Sequence, residues 1–144
     1  MTTTQYPVPP IARVLGYAGL IPFVALAGMP AAGVAVDQAL VSYALRAYAA
    51  TIVSFLGAIH WGFAMQQEPA DTPRFVWGVL PSLLAWLSLV VVPTAGTLLL
   101  AAALWLCFLV DRRTYPQYGL GAWLPMRLAL TTLASAACVA GGLF

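Results

Sequence analysis

Five apolar runs occupy almost the whole chain, and few folds are compatible with that pattern. They extend from about 11 to 29, 39 to 65, 75 to 92, 94 to 110 and 123 to 144. A helix needs about 20 apolar residues to cross a bilayer, and only helices and closed barrels satisfy their backbone amides there. The runs lack the alternation that barrel strands show. The sequence therefore predicts an all-α fold: a polytopic bundle of five transmembrane helices, forming one domain over residues 1–144.

Charged residues are too scarce for several classes of function. Hydrophobic residues make up 62% of the 144 and charged residues 7%, and no lysine is present. A net charge of +2 cannot provide the basic surface that nucleic-acid binding needs. The single histidine, four acids and two cysteines form no recognisable catalytic or metal-ligand motif. We therefore expect no nucleic-acid partner, no metal site and no catalytic residues, and an enzymatic role is disfavoured.

The arginines lie mainly on one side of the predicted membrane. The side with the N-terminal tail and the loops 66–74 and 111–122 contains Arg13, Arg74, Arg112 and Arg113, with Arg127 just inside the fifth run. The loops of the other side contain neither lysine nor arginine. Because cytoplasmic loops hold the excess of positive residues, we expect the N-terminus inside and Phe144 outside. The expected location is the bacterial inner (cytoplasmic) membrane, crossed several times.

The second run separates into two unlike helical faces. One face holds small and polar residues: Arg46, Ala50, Ser54, Gly57, His60 and Trp61, with Ala58 and Gly62 continuing the row Ala50, Ser54 at every fourth position. The other face holds Leu45, Tyr48, Ile52, Phe55, Leu56, Ile59 and Phe63. Helices in lipid associate through small residues that let their backbones approach. We therefore expect this helix at the centre of the bundle, with the row as its packing seam and with Ile52, Phe55, Ile59 and Phe63 turned towards lipid.

Arg46 and His60 are the ionisable side chains of this run, and they lie near opposite membrane surfaces. For Arg46 we expect a contact with lipid phosphate or with a neighbouring helix. Two interpretations of His60 remain open. It is either a neutral imidazole bonded to a backbone carbonyl, Ser or Tyr of another helix, or a functional group: a proton relay, a quinone hydrogen-bond donor or a haem ligand. In the functional interpretation, His60, Trp61 and Arg46 line a common pocket.

Prolines and charges mark other positions along the chain. Pro22 and Pro81 each interrupt an apolar run, so both are expected to kink their helices. Asp111, Arg112 and Arg113 form a charged stop after the fourth run, and Asp111 is placed to pair with Arg127 at the membrane surface. With these boundaries we expect no acidic residue inside any span.

Four segments and one residue resemble a known family. They are GYAGLIPF (16–23), YAATIVSFLGAIHWG (48–62), GVLPSLLAW (78–86) and LPMRLALT (124–131), together with Asp111. They are similar to the small membrane proteins that include transmembrane protein 69, and FLGAIHWG is the most specific part. The resemblance covers nearly the whole chain and implies a compact five-helix membrane protein of bacteria and mitochondria-bearing eukaryotes, with no assigned activity. It also implies that His60, Trp61, Pro22, Pro81 and Arg127 are family positions.

Three functional hypotheses follow from these features. The first is a non-enzymatic accessory or assembly subunit that packs against a larger respiratory or photosynthetic membrane complex, because the chain is almost wholly embedded and has few reactive groups. An oligomer of this chain is the alternative assembly. The second is a quinone- or haem-binding protein that uses His60, and the third is a small-molecule carrier. The sequence identifies no cofactor, and its one evident partner is the lipid bilayer.

Overall fold

The computed structural model describes residues 4–142, and within them the chain is helical without any strand. The helices are α1 (Pro10–Ala18), α2 (Ile21–Ala31), α3 (Gln38–Ala64), α4 (Thr72–Val90), α5 (Pro93–Thr114) and α6 (Leu124–Gly141). Short 3-10 helices at Tyr115–Tyr118 and Gly121–Trp123 join α5 to α6. Counting α1 and α2 as one segment, the described residues contain five segments long and apolar enough to cross a membrane. The predicted all-α, five-span fold is confirmed, although Leu143 and Phe144 of the predicted fifth span lie outside the described residues.

The largest difference from the predicted boundaries is at the end of the fourth span. The sequence places this end near Val110, whereas α5 continues to Thr114. Asp111 is therefore inside the helix and buried, and the expectation that no acid lies within a span is wrong. A span boundary read from hydropathy falls at the first charged residue. Hydropathy contains no information on a counter-ion that another helix supplies.

The first span is broken at Gly19 and Leu20, between α1 and α2, and Pro22 lies in the first turn of α2. An amide at position 22 would bond to the carbonyl of Ala18, the last residue of α1, so the predicted interruption lies in the turn before the proline. The hydroxyl of Tyr48 donates to the carbonyl of Gly19 at 2.9 Å. In contrast, α4 continues through Pro81 without a break, and the kink expected there stays a prediction.

Helix α3 occupies the centre of the bundle and packs against α2, α4, α5 and α6. Its closest approach is to α4, because a Cβ atom added to Gly57 would lie 2.7 Å from the carbonyl oxygen of Gly78. A Cβ atom on Gly78 would collide with the indole ring of Trp61. Glycine at both positions therefore allows the two backbones to come together.

The predicted packing seam of α3 is correct for only part of its length. Ala50 is buried and Ser54 half-buried, but Ala58 and Gly62 are exposed, and no described atom lies near a Cβ atom added to Gly62. The prediction for the opposite face is also wrong in part. Of the four residues expected to face lipid, Phe55 is exposed, but Ile52, Ile59 and Phe63 are half-buried. Leu45 and Leu56 of the same face are buried. The reason is that other helices cover α3 on more than one side, whereas a two-face division assumes one covered side.

The loops define two ends of the bundle. At one end the amide of Tyr6 donates to the carbonyl of Gly119, and the ring of Phe63 stacks on Tyr118. We call it the arginine-rich end. At the other end the α4–α5 turn at Pro93 is close to the end of α6, where a Cβ atom on Gly142 would meet the hydroxyl of Thr97. We call it the Pro93 end.

Candidate functional site

Three buried ionisable side chains from three helices meet towards the arginine-rich end. Nε2 of His60 on α3 lies 2.9 Å from Oδ1 of Asp111 on α5. Arg127 on α6 donates to Oδ2 of Asp111 from Nε at 2.9 Å and from Nη2 at 2.6 Å. His60 and Asp111 are each 1% exposed and Arg127 is 7% exposed. We call this group the ionic cluster; it ties α3, α5 and α6 together through one carboxylate.

The hydrogen bonds of the cluster show which nitrogen of His60 donates to Asp111. A carboxylate paired with a guanidinium only accepts hydrogen bonds, so Nε2 carries a hydrogen. Nδ1 is enclosed and has no partner within residues 4–142. The rings of Phe63 and Trp77 pack edge-on to the imidazole, with centroids 5.8 and 6.2 Å away. His60 is therefore fixed in orientation by Asp111 and the two aromatic rings.

The cluster corrects two interpretations of the sequence. Asp111 and Arg127 do pair, but the pair is buried, whereas the neighbouring Arg112 and Arg113 are exposed. His60 bonds to a carboxylate and not to a carbonyl, Ser or Tyr. Burial changes how much stability depends on the pair. An exposed ion pair contributes about 0 to 1 kcal/mol to the free energy of unfolding, whereas removing one partner of a buried pair lowers that free energy by about 3–5 kcal/mol.

An apolar cavity of about 360 Å³ lies beside the cluster. It lies between the first span and helices α3 and α6, and Leu104 of α5 also lines it. This volume is within the range of about 300 to 1,000 Å³ that small-molecule sites occupy. Helix α1 forms part of the wall although none of its residues is buried. The cavity is therefore bounded on one side by a loosely packed helix.

Polar groups of the cavity are concentrated around Arg127. Two nitrogens of its guanidinium, Nε and Nη2, bond to Asp111, and Nη1 takes no part in that pair. Thr131, one turn further along α6, also lines the cavity, and its buried hydroxyl has no partner among the described residues. Tyr115 lies at the same end. One part of an apolar cavity thus contains several hydrogen-bonding groups, of which the Thr131 hydroxyl is unpartnered.

Comparison with known proteins agrees with this architecture. Residues 8–143 match a family model described as a protein of unknown function (DUF3429). The chain belongs to this family. It is 35% identical over 141 residues to transmembrane protein 69 of Xenopus tropicalis, in an alignment that covers 94% of this chain and 54% of that protein. The chain thus spans about half the length of this curated relative, and the family resemblance seen in the sequence is confirmed. No solved structure matches the chain.

Residues that the family resemblance singles out have separate positions in this DUF3429 protein. His60 and Arg127 belong to the ionic cluster, whereas Trp61 and Pro81 lie at the contact between α3 and α4. Trp61 is partly exposed, and its indole donates to the carbonyl of Phe75 at 2.9 Å. Helix packing accounts for these last two positions.

The pocket expected from His60, Trp61 and Arg46 is absent from the described residues. None of the three lines the cavity, and Arg46 lies in the other half of the bundle, where Nη1 donates to the carbonyl of Ser88 at 3.3 Å. The ring nitrogens of His60 are engaged by Asp111 or enclosed, so this arrangement does not suit haem iron. Within residues 4–142 no three His, Cys, Asp or Glu side chains are grouped to hold a metal ion. Sequence reasoning missed Thr131, because a hydroxyl in an apolar run carries no sign of its partners.

Proposed function

We propose that this protein binds one amphipathic, lipid-like molecule in the cavity between the first span and helices α3 and α6. The supporting observation is the distribution of polarity in the cavity: apolar walls, with Arg127 and the unpartnered hydroxyl of Thr131 together in one place. Ligand sites are commonly apolar with a few polar groups that orient the ligand. An apolar tail would contact the walls, and the head group would accept hydrogen bonds from Arg127 and Thr131.

The charge of the ionic cluster favours a neutral head group. The carboxylate of Asp111 already balances the guanidinium of Arg127. An anionic head group would bring an uncompensated negative charge into a medium of low dielectric constant, which is costly. A carbonyl oxygen accepts the same hydrogen bonds without that cost. A quinone or an ester with an apolar tail therefore fits the site better than a fatty acid.

Ligand binding can be tested with matched variants of α6. Thr131→Val removes the cavity hydroxyl, and Thr132→Val removes an exposed one whose bond is to the carbonyl of Leu128. The probes are a short-tailed benzoquinone and a long-chain methyl ester, titrated into detergent-solubilised protein. Loss of one hydrogen bond predicts that Thr131→Val weakens binding about 2- to 10-fold, with no change for Thr132→Val.

The walls provide an independent test. Ala12→Phe places a ring in the cavity, whereas Val14→Phe places it on the exposed side of the same helix. We expect Ala12→Phe to abolish binding and Val14→Phe to retain it. If neither probe binds, and organic extraction of the purified protein yields no bound lipid or quinone, the proposal is wrong.

A second proposal is association with a larger membrane complex, as the accessory or assembly subunit that the sequence favours, or with another copy of the chain. The exposed Ala58 and Gly62 of α3 support it, because small residues on a lipid-facing surface allow another helix to approach. Mild solubilisation should return the protein with a co-migrating partner. Gly62→Leu should release that partner, whereas Val76→Leu, at an exposed site on α4, should not. Recovery of wild type as a monomer alone would contradict this proposal.

The orientation proposed from the arginines is that the arginine-rich end faces the cytoplasm of a bacterial inner membrane. Arg112 and Arg113, both exposed near that end, support it. A reporter fused after Phe144 should be active only outside the cytoplasm. Cytoplasmic activity of that fusion would reverse the assignment.

A further inference from the structure

Arg46, the second buried arginine of the bundle, has no carboxylate partner. It is 7% exposed, like Arg127. Its Nη1 reaches one backbone carbonyl, that of Ser88, at the long distance of 3.3 Å, and its Nε is enclosed without any partner within residues 4–142. A carbonyl supplies a partial charge only, so the positive charge of Arg46 is not balanced by its hydrogen bond.

The four acidic side chains all lie away from Arg46. Asp111 is in the ionic cluster and Asp71 pairs with Arg74. Glu68 is in the α3–α4 loop at the arginine-rich end. Asp37 caps α3 through the amides of Ala39 and Leu40, and it precedes Arg46 by a helical rise of about 13 Å. Within residues 4–142, no acidic side chain is therefore placed to neutralise Arg46.

A second positive feature lies beside Arg46. The first turn of α5 packs on its side chain, since a Cβ atom added to Gly96 would lie 3.3 Å from Cδ of Arg46. The first amides of a helix have no intrahelical partner, and the cap residue Val92 supplies no side-chain hydrogen bond to them. The positive end of a helix dipole favours an anion. The side chain of Arg46 and this helix end thus lie side by side.

We propose that Arg46 and the first turn of α5 bind a phosphate group, supplied by a phospholipid of the leaflet at the Pro93 end. A guanidinium and backbone amides are the donors that phosphate oxygens accept in proteins. Both are within a few helical turns of the membrane surface, because Arg46 follows the start of α3 at Gln38 by about 12 Å. The phosphate supplies the negative charge that no acidic side chain of residues 4–142 brings to Arg46. This site lies in the opposite half of the bundle from the cavity and does not depend on the ligand proposed there.

The proposal can be tested by lipid-dependent stability in a neutral, phosphate-free detergent. The probes are phosphatidylglycerol, diacylglycerol of the same acyl chains, and inorganic phosphate. A ligand that binds only the folded state raises the melting temperature, and we expect phosphatidylglycerol at saturation to raise that of the wild type by about 3 °C or more. Diacylglycerol should have no effect. An equal response to inorganic phosphate alone would show a free-anion site and contradict the lipid assignment.

Variants of Arg46 test whether the rise in melting temperature with phosphatidylglycerol depends on this residue. Arg46→Gln should remove the shift, whereas Arg112→Gln, which deletes an exposed arginine at the other end, should keep it. Arg46→Lys retains the charge without the planar donor group, so a smaller shift is expected, and this variant serves if Arg46→Gln does not fold. A full shift in Arg46→Gln, or none in the wild type, would overturn the proposal.

Discussion

The two buried arginines of this bundle have the same exposure and opposite surroundings. Arg127 donates two short hydrogen bonds to a carboxylate that is itself held by His60. Arg46 donates one long hydrogen bond to a carbonyl. Burial alone therefore does not reveal what a membrane arginine does. The presence or absence of a counter-ion separates a structural ion pair from a candidate site for an external anion.

The comparison has an energetic consequence. Deleting Arg127 leaves a buried carboxylate with only a histidine to balance it. Deleting Arg46 leaves only a neutral carbonyl, and the cost of burying the guanidinium disappears with it. The same substitution should therefore have very different effects at the two positions.

The largest effect is expected at the ionic cluster. Arg127→Met should lower the free energy of unfolding by about 3–5 kcal/mol, because it isolates the buried charge of Asp111. Reversible unfolding in mixed micelles, followed by circular dichroism, measures this difference. Arg113→Met, at an exposed position near the same end, is the matched control and should change stability by less than about 0.5 kcal/mol.

The double variant Asp111→Leu with Arg127→Met sharpens the interpretation. Replacing a buried pair by apolar side chains of similar size is often neutral, so most of the lost stability should return. A double variant as unstable as Arg127→Met alone would show that packing, and not charge, explains the first result.

A smaller effect is expected at the contact that positions Arg46. A Cβ atom on Gly96 would collide with the carbonyl of Ser88, the group that Arg46 uses. Gly96→Ala should therefore cost about 1–3 kcal/mol, as overpacking does. Gly62→Ala is a control with the opposite expected sign: it faces open space in a helix and should be neutral or stabilise by up to about 1 kcal/mol. If Gly96→Ala and Gly62→Ala changed stability equally, α4 and α5 would have to move apart at their turn to accommodate the added methyl group.

The fold was predictable because hydrocarbon imposes a simple rule. Each span needs its own apolar run, so the number of helices and the turn at Pro93 could be found from hydropathy. The end of α5 could not, since Asp111 is tolerated in the helix only because α3 and α6 supply partners. The same limit applies to Leu45 and Leu56, whose burial depends on which helices cover α3.

The candidate site was less predictable than the fold. His60, Asp111 and Arg127 could each be singled out as charged or ionisable groups in or beside apolar runs. Their meeting could not be deduced in full, because the helix ends limited Asp111 to a surface position. The cavity was invisible in the sequence, as it depends on the loose packing of α1 and on the space between helices.

Replacing Arg46 by methionine should change the free energy of unfolding much less than the same replacement of Arg127. In phosphate-free detergent, Arg46→Met should change the free energy of unfolding by less than about 1 kcal/mol, because no buried charge is left unpaired. The measurement is the same unfolding titration, with both variants side by side. A loss as large as that of Arg127→Met would show a counter-ion at Arg46 within the chain and end the contrast between the two sites.

The smallest effect is expected for an ion pair outside the bundle. Asp71 caps α4 and accepts a hydrogen bond from Nε of Arg74 at 2.7 Å. This bond holds the pKa of Asp71 below its ordinary value of 3.8. A lowered pKa in the folded state means that the pair stabilises the fold at neutral pH and that this contribution is lost as the pH falls below about 4.

Asp71→Asn tests this contribution because asparagine retains the capping oxygen and removes the charge. The melting temperature of the variant should be slightly lower than that of wild type at pH 7, and the two should converge as Asp71 is protonated. Added salt should reduce the difference at pH 7, since the pair is partly exposed. Glu68→Gln, at an exposed acid of the same loop, gives the baseline. A difference that persists at low pH would assign the effect to the cap and leave the ionic cluster as the only ion pair that stabilises the described residues.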